Sequence, residues 1–360
     1  MAEPLRIVFM GSDPIALPLL DWLAGDGRAV ANLVGLFTGP DRPSGRGQAV
    51  NPNCIKKWSV GRSLPVHQPE RLDGASLADL STLHADVALV VAYGHILREE
   101  FISIPRLGTL NLHASLLPKY RGASPIQTAV AAGERETGMT LMRIVRELDA
   151  GPVADIERVP IAQLDTASDV EARLARAAVA LCARALPKLA RGELAFCTQD
   201  RAKASFCRRL SKADSALDFS APASVLSARI NGLHPWPSAA VEIGGTEIKV
   251  GQADCVEGGA GGIPGSVLGF GPDGLLVAAG TGILCMRRLQ RPGGRMLPTP
   301  EFLRGFPVAA GAVIPSRPMA ALVAAEPLGA EPERHMPLVF TGPLGKIPRR
   351  CLAGPPFAVS

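Results

Sequence analysis

Apolar runs of strand length recur along the first half of the chain, separated by loops rich in Gly, Pro and Asp and by segments of helical spacing. The runs fall at residues 5–10, 30–37, 87–92, 109–113 and 139–145, with helix-like stretches at 15–23 and 124–132. Val87-Ala88-Leu89-Val90-Val91-Ala92 has no polar position, as expected of a strand covered on both faces. These strand–helix repeats predict an α/β fold with a doubly wound, mostly parallel, Rossmann-like sheet. Ser168 and Glu171 stand at capping-box spacing, and Val170, Leu174, Ala177 and Leu181 follow at helical intervals. A long helix is therefore predicted to close this half, stopped by Gly192.

Beyond residue 190 the pattern changes. Residues 198–214 are polar and basic, which fits a linker, and short β-rich pieces follow at 239–243, 246–250, 265–268, 275–278 and 283–289, separated by glycines. Five short strands at this spacing predict a small β-barrel. Residues 313–360 hold 9 of the 32 prolines and sustain no period, so a poorly ordered tail is expected. The chain divides accordingly into a first domain at 1–190, a linker at 191–212, a barrel at 213–312 and a tail at 313–360.

Composition narrows the class. With 47% hydrophobic and 20% charged residues the chain can bury cores, which excludes disorder throughout. No stretch approaches about 18 uninterrupted apolar residues, and no cationic segment precedes the first apolar run, so neither a membrane span nor a signal peptide is expected and the location is cytoplasmic. The seven cysteines form no CxxC pair, and the six histidines do not stand at ligand spacing beside them. Reduced thiols and no metal are expected. The net charge of +5 lies in the second half: residues 1–190 hold 20 basic and 20 acidic side chains, residues 191–360 hold 18 and 13. That asymmetry fits a polyanionic partner and equally an ordinary solvated surface.

The densest polar signal is Asn111-Leu112-His113, at the end of an expected strand. Residues two apart on a strand share a face, and open α/β sheets bind ligands at the C-terminal strand edge. There an amide donor beside an imidazole suits acyl chemistry: the first can hold a developing oxyanion, the second can hold or pass a proton. An Asn-capped turn and a core histidine fit the same spacing. Asp149 follows the next expected strand and could orient His113 or relay its proton; an Asp-initiated turn before Ala150-Gly151-Pro152 is the alternative. Gly11-Ser12-Asp13-Pro14 lacks the G-x-G-x-x-G pattern, and no G-x-S-x-G occurs, so a dinucleotide site and a serine hydrolase are both disfavoured.

At these residues the sequence resembles the folate-dependent formyltransferases. Asn111-x-His113, then Ser115-Leu116-Leu117-Pro118, then Asp149 in a Leu-Asp-x-Gly setting carry the resemblance. Val90-Val91-Ala92-Tyr93-Gly94, Arg121-Gly122-Ala123-Ser124-Pro125 and, further on, Leu210-Ser211-Lys212 and Pro235-Trp236-Pro237 follow in the family's order. Phe37-Thr38-x-Pro40-Asp41-Arg42-Pro43-x-Gly45-Arg46-Gly47 resembles the basic loop of those members that act on aminoacyl-tRNA. The resemblance implies a formyltransferase catalytic domain, a C-terminal OB-like barrel, catalytic roles for Asn111, His113 and Asp149, and folate contacts from Ser115, Leu116, Leu117, Pro118, Val91, Ala92, Tyr93 and Gly94. It further implies transfer of the formyl group of 10-formyltetrahydrofolate to methionine on initiator tRNA by a monomeric enzyme, with Arg42, Arg46, Lys203, Arg208, Arg209 and Lys212 meeting the RNA. His95, Arg143 and Arg146 depart from the family pattern and could alter folate contacts. A sugar-nucleotide or other small-amine formyltransferase would keep both domains without needing the Arg42 and Arg46 loop. A non-catalytic RNA-binding protein would explain barrel and charge but leave Asn111, His113 and Asp149 idle.

Overall fold

The computed structural model describes residues 3–44, 49–256 and 262–326. Seven strands make the first sheet: β1 (Leu5–Gly11), β2 (Ala31–Phe37), β3 (Val66–His67), β4 (Val87–Val91), β5 (Thr109–His113), β6 (Glu136–Arg143) and β7 (Val153–Pro160). Their order is β7-β6-β5-β4-β1-β2-β3, parallel from β5 to β3 and antiparallel where β6 joins β5 and β7 joins β6. Alternate side chains enter two separate cores, Ile7 and Phe9 with Leu89 and Val91 on one face, Val8 and Met10 with Ala88 and Val90 on the other. A strand buried on both faces must be apolar throughout, which is why the central strands stand out in the sequence.

The helix Ala167–Ala190 covers one face, burying Val170, Leu174, Leu181, Ala185 and Leu189. It begins two residues earlier than the spacing suggested. Thr166, with its N–H and hydroxyl both on the Asp169 carboxylate at 2.9 and 2.6 Å, forms the cap in place of Ser168 and Glu171. Gly192 follows the helix at φ +71°, a conformation glycine adopts without strain.

The five strands expected in the second half are present: β8 (Ala239–Ile243), β9 (Thr246–Val256), β10 (Val267–Phe270), β11 (Leu275–Ala278) and β12 (Ile283–Gln290), with a short β13 (Leu297–Pro298) added. They form one antiparallel sheet in the order β8-β9-β12-β11-β10, with β13 on β12; among the described residues no ladder joins β8 to β10.

The two halves are closely joined. Helix Pro125–Ala131 packs on helix Ala223–Leu233, and a Cβ at Gly232 would stand 2.4 Å from the Ala131 nitrogen. Gln252 donates to the Leu164 carbonyl at 2.8 Å, and Gln163 to Asp254 at 2.7 Å. The stretch from Val313 onward, expected to be a loose tail, is instead tied to the fold at several points in its described part. Val313 bridges to Ser266, Ile314 is 2% exposed, and Val323–Ala324 pairs with Phe206–Cys207, because apolar residues among the prolines find buried sites. Residues 327–360 of that expectation lie outside the described residues. Among the described residues no helix is long and apolar enough to cross a membrane.

Arg208, expected to touch RNA, is committed elsewhere. Its guanidinium grips the carboxylate of Asp214, which is 1% exposed, at 2.5 and 2.8 Å. The Arg208 hydrogen bonds hold the Asp214 carboxyl below its ordinary 3.8. Removing the guanidinium strands a buried charge, so Arg208→Ala is expected to cost ~3 kcal/mol in urea unfolding at neutral pH, the low end because a quarter of the Arg208 side chain remains in solvent. A depressed carboxyl stabilises above its unfolded value and loses that contribution as pH falls through its folded value. The difference between wild type and variant should therefore be full above about pH 4 and shrink below it. A pH-independent difference contradicts the assignment.

Candidate active site

Strand β5 sits between β4 and β6, with Val90 opposite Asn111 and Thr140 opposite His113. Leu112 points into the core, so Asn111 and His113 project together from the other side of the strand. The Asn111 amide has no hydrogen-bond partner among the described residues, which leaves its N–H groups available. His113 is 6% exposed. Its Nε2 stands 2.9 Å from the Tyr120 carbonyl and its Nδ1 3.7 Å from Asp149 Oδ2. Both ring nitrogens thus face acceptors. A ring carrying both protons can donate to each; a ring carrying one leaves an acceptor opposite an acceptor.

Asp149 reaches this place by an indirect route. Because β6 is antiparallel to β5, it ends with Arg143 beside Leu110, and the chain then doubles back so that Arg143 N–H donates to Pro152 O. Gly151 permits the fold-back, since a Cβ there would lie 1.8 Å from the Arg143 carbonyl oxygen. Asp149 itself has φ +47°, unusual for a residue with a side chain. Its Oδ2 accepts the Gly122 N–H at 2.8 Å. The 3.7 Å to His113 is longer than a hydrogen bond.

The expected folate residues border this group. Val91 ends β4, and Ala92 and Gly94 both have positive φ, +45° and +82°. Ser12 fixes the turn by donating its N–H to Ala92 O and its hydroxyl to Tyr93 O, both at 3.2 Å. Nothing lies within 4 Å of where a Cβ on Gly94 would be, so space is open beside the turn. Tyr93 is 4% exposed, its hydroxyl has no partner among the described residues, and burial raises its phenol above the ordinary range. In the Ser115–Pro118 turn the hydroxyl of Ser115 is spent internally on Lys119 O at 2.7 Å, while Thr140 accepts from Leu117 N and donates to Ser115 O. Leu117 is buried, leaving Leu116 and Pro118 partly exposed.

Arg42 is exposed on the short strand Arg42–Ser44 and borders a hollow of about 340 Å³ with Pro40, Asp41, Glu70 and Arg71. Arg46 lies outside the described residues. His95 is tilted against Tyr93 at 4.9 Å between ring centroids; burial first, and the charge of Arg42 second, lower its pKa. The basic loop and the turn after β4 are therefore neighbours. Lys203, Arg209 and Lys212 are exposed, Lys203 beside Asp200 at 3.4 Å. Arg143 donates to Leu107 O at 3.0 Å and lies over Phe196 at 4.2 Å, so it supports β5 from its start; Arg146 is exposed. Gln199, unmarked by any sequence pattern, hydrogen-bonds the loop of Asp149, and Arg121, prominent only as part of a motif, is 2% exposed against it. No periodicity marks either residue.

The sequence matches the formyl transferase family over residues 5–186 and the formyl transferase C-terminal domain over residues 209–307. It is 42% identical over 298 residues to the methionyl-tRNA formyltransferase of Pseudomonas fluorescens strain SBW25, covering 82% of this chain and 92% of that relative. The sugar 3N-formyltransferase WlaRD, solved with dTDP and 5-N-formyl-tetrahydrofolate, has a similar fold: TM-score 0.58, 16% identity, 78% of this chain and 97% of that one. HypX from Aquifex aeolicus, solved with tetrahydrofolic acid, is similar at TM-score 0.56 and 16% identity over 83% of this chain, which spans 47% of HypX.

Gly122 carries the donor for Asp149 at φ +117°, and a Cβ on it would lie 2.2 Å from the Cys207 carbonyl oxygen. Gly122→Ala is expected to lower stability by ~2 kcal/mol or more, measured by urea unfolding, through forced opening of the ladder to Phe206–Cys207. Unchanged stability would show that this close approach is not a constraint.

Proposed function

The chain belongs to the formyl transferase family, and on that footing we propose that it transfers the formyl group of 10-formyltetrahydrofolate to the free amine of methionine carried by initiator tRNA. The observation that carries the acceptor is the 42% identity to a methionyl-tRNA formyltransferase over 82% of the chain. The residues present suit the formyl donor: an unpartnered Asn111 amide stands beside the near-buried His113, and the turn at Ala92–Gly94 has open space beside it. Val91–Gly94, Leu116 and Pro118 would hold the folate. When bound, that co-substrate supplies a formyl carbon already activated by its bond to nitrogen.

The protein's own groups handle charge and proton. As the methionine amine attacks, the formyl oxygen gains negative charge, and the Asn111 amide with a protonated His113 donates to it; one such donor contributes about 10²–10³ in rate. Asp149 holds the His113 ring in orientation and keeps an acceptor next to its Nδ1. It also takes up the proton shed by the attacking amine and passes it to the departing nitrogen. Gly122 N–H keeps the carboxylate aimed for this work.

We read the C-terminal sheet as an OB-like barrel that carries the RNA. Its bulges at Val250/Gln252 and Val267/Gly269 supply the local bending that closure of such a sheet uses. Exposed Arg42, Lys203, Arg209 and Lys212 meet phosphates, and Arg46 belongs to the same loop as Arg42. Arg208 is withdrawn from this role by its ion pair with Asp214. The acceptor places the enzyme in the cytoplasm, with translation.

His113→Ala and Asp149→Asn are each expected to lower formylation of Met-tRNA at least ~10²-fold, with unfolding midpoints close to wild type. Turnover near normal in either variant removes the mechanism. Binding of Met-tRNA should weaken steeply with salt, and Arg42→Ala and Lys212→Ala should each reduce the slope of log K against log salt by about one. A salt-insensitive affinity points to a small acceptor such as an amino sugar nucleotide.

A further inference from the structure

The segment after helix Ala167–Ala190 leads toward the C-terminal half, yet before it gets there it runs antiparallel along the loop that carries Asp149. Cys197 bridges to Val153, with paired N–H to O bonds of 2.8 Å in both directions. Two residues on, the Gln199 amide donates to both the Asp149 carbonyl at 2.8 Å and the Gly151 carbonyl at 2.7 Å. Two residues further, Arg201 pairs with Glu147. Three successive alternate positions of the linker thus engage three points of one loop.

Gln199 is 8% exposed and uses its whole amide. Its oxygen accepts from Arg121 Nε at 3.2 Å and Nη2 at 2.8 Å, while Arg121 Nη1 reaches Glu147 at 3.4 Å. Arg121 is in turn the residue before Gly122, whose N–H holds the Asp149 carboxylate. Asp149 is therefore clamped at both ends, the carboxylate by Gly122 and the carbonyl by Gln199, and the two clamps are tied together through Arg121. Such a double hold is what keeps a non-glycine residue at φ +47°. Without it the backbone relaxes toward an ordinary conformation and the carboxylate turns away from His113.

We propose that Gln199 is a positioning residue for the formyl transfer: it never meets substrate, but it holds Asp149 in the strained conformation that aims its carboxylate at His113, and so makes the interdomain linker part of the active-site scaffold. This rests on the formyl-transfer reading above. The neutral, near-isosteric Gln199→Met removes both donors and the acceptor without adding charge. The expected result is a fall in kcat of at least about 30-fold with KM for 10-formyltetrahydrofolate and for Met-tRNA within about threefold of wild type, the split that lost transition-state alignment produces. In hydrogen exchange, amides of residues 147–151 should exchange at least about tenfold faster while those of β4 and β5 are unchanged. A kcat within threefold of wild type, or a rise in KM at constant kcat, overturns the proposal. Should Gln199→Met not fold, Gln199→Asn, one methylene too short to reach both carbonyls, is judged by the same criteria. If wild-type protein forms no formylmethionine, the functional reading fails on its own, and the exchange data alone decide this inference: unchanged exchange at 147–151 overturns it.

Discussion

The proposed active site depends on Asp149 staying at a positive φ that its backbone seldom adopts. A side-chain-bearing residue at φ +47° persists only when its surroundings over-determine it. Here they do, through the Gly122 N–H on the carboxylate, the Gln199 amide on the carbonyl, and the close fold-back that only Gly151 allows. The same arrangement leaves His113 with an acceptor at each ring nitrogen and leaves Asn111 unpartnered beside it. The Asn111 donor is thereby fixed in place, which is the condition under which electrostatic stabilisation of a developing oxyanion is most effective.

The fold supplies this geometry from a rigid base. Strand β5 is held between β4 and β6, and its residues alternate between the core and the site. The turns after β1 and β4 are tied to each other by Ser12, whose hydroxyl also accepts the Gly39 N–H at 2.9 Å at the head of the basic loop. The turns after β1 and β4 and the head of the basic loop are thus linked by three hydrogen bonds. At the other side the linker carries Gln199 and then enters the three-stranded sheet of Arg121–Gly122, Phe206–Cys207 and Val323–Ala324. First half, linker and C-terminal extension are joined in that sheet, which includes Gly122, the donor to Asp149.

How much of this was legible follows from burial. Strand β4 announces itself because both faces are covered and every position is apolar, and β1 and β2 because Arg6 and Asn32 alone interrupt their apolar runs. Strand β7 does not, since Val153-Ala154-Asp155-Ile156-Glu157-Arg158 lies at an edge and mixes charge with apolar positions; β3 is too short to show a period. Asn111 and His113 were readable because a strand period places them on one face. Asp149 was readable only as a candidate, because its approach depends on a loop that doubles back. Gln199 and Arg121 were not readable as partners: they are 78 positions apart, and nothing periodic distinguishes a glutamine in a polar linker. Arg208 shows what setting alone misses: a basic residue assigned to a polyanion also grips a buried carboxylate six residues away.

The central claim, that this scaffold directs a formyl group to methionine on initiator tRNA, is tested most directly by the fate of the label. Wild-type protein is given 10-formyltetrahydrofolate labelled in the formyl carbon, with initiator Met-tRNA and a nucleotide-linked amino sugar present together at equal concentration. Label is expected on the methionine amine of the initiator tRNA and none on the sugar. Label on the sugar amine, or on neither acceptor, contradicts it.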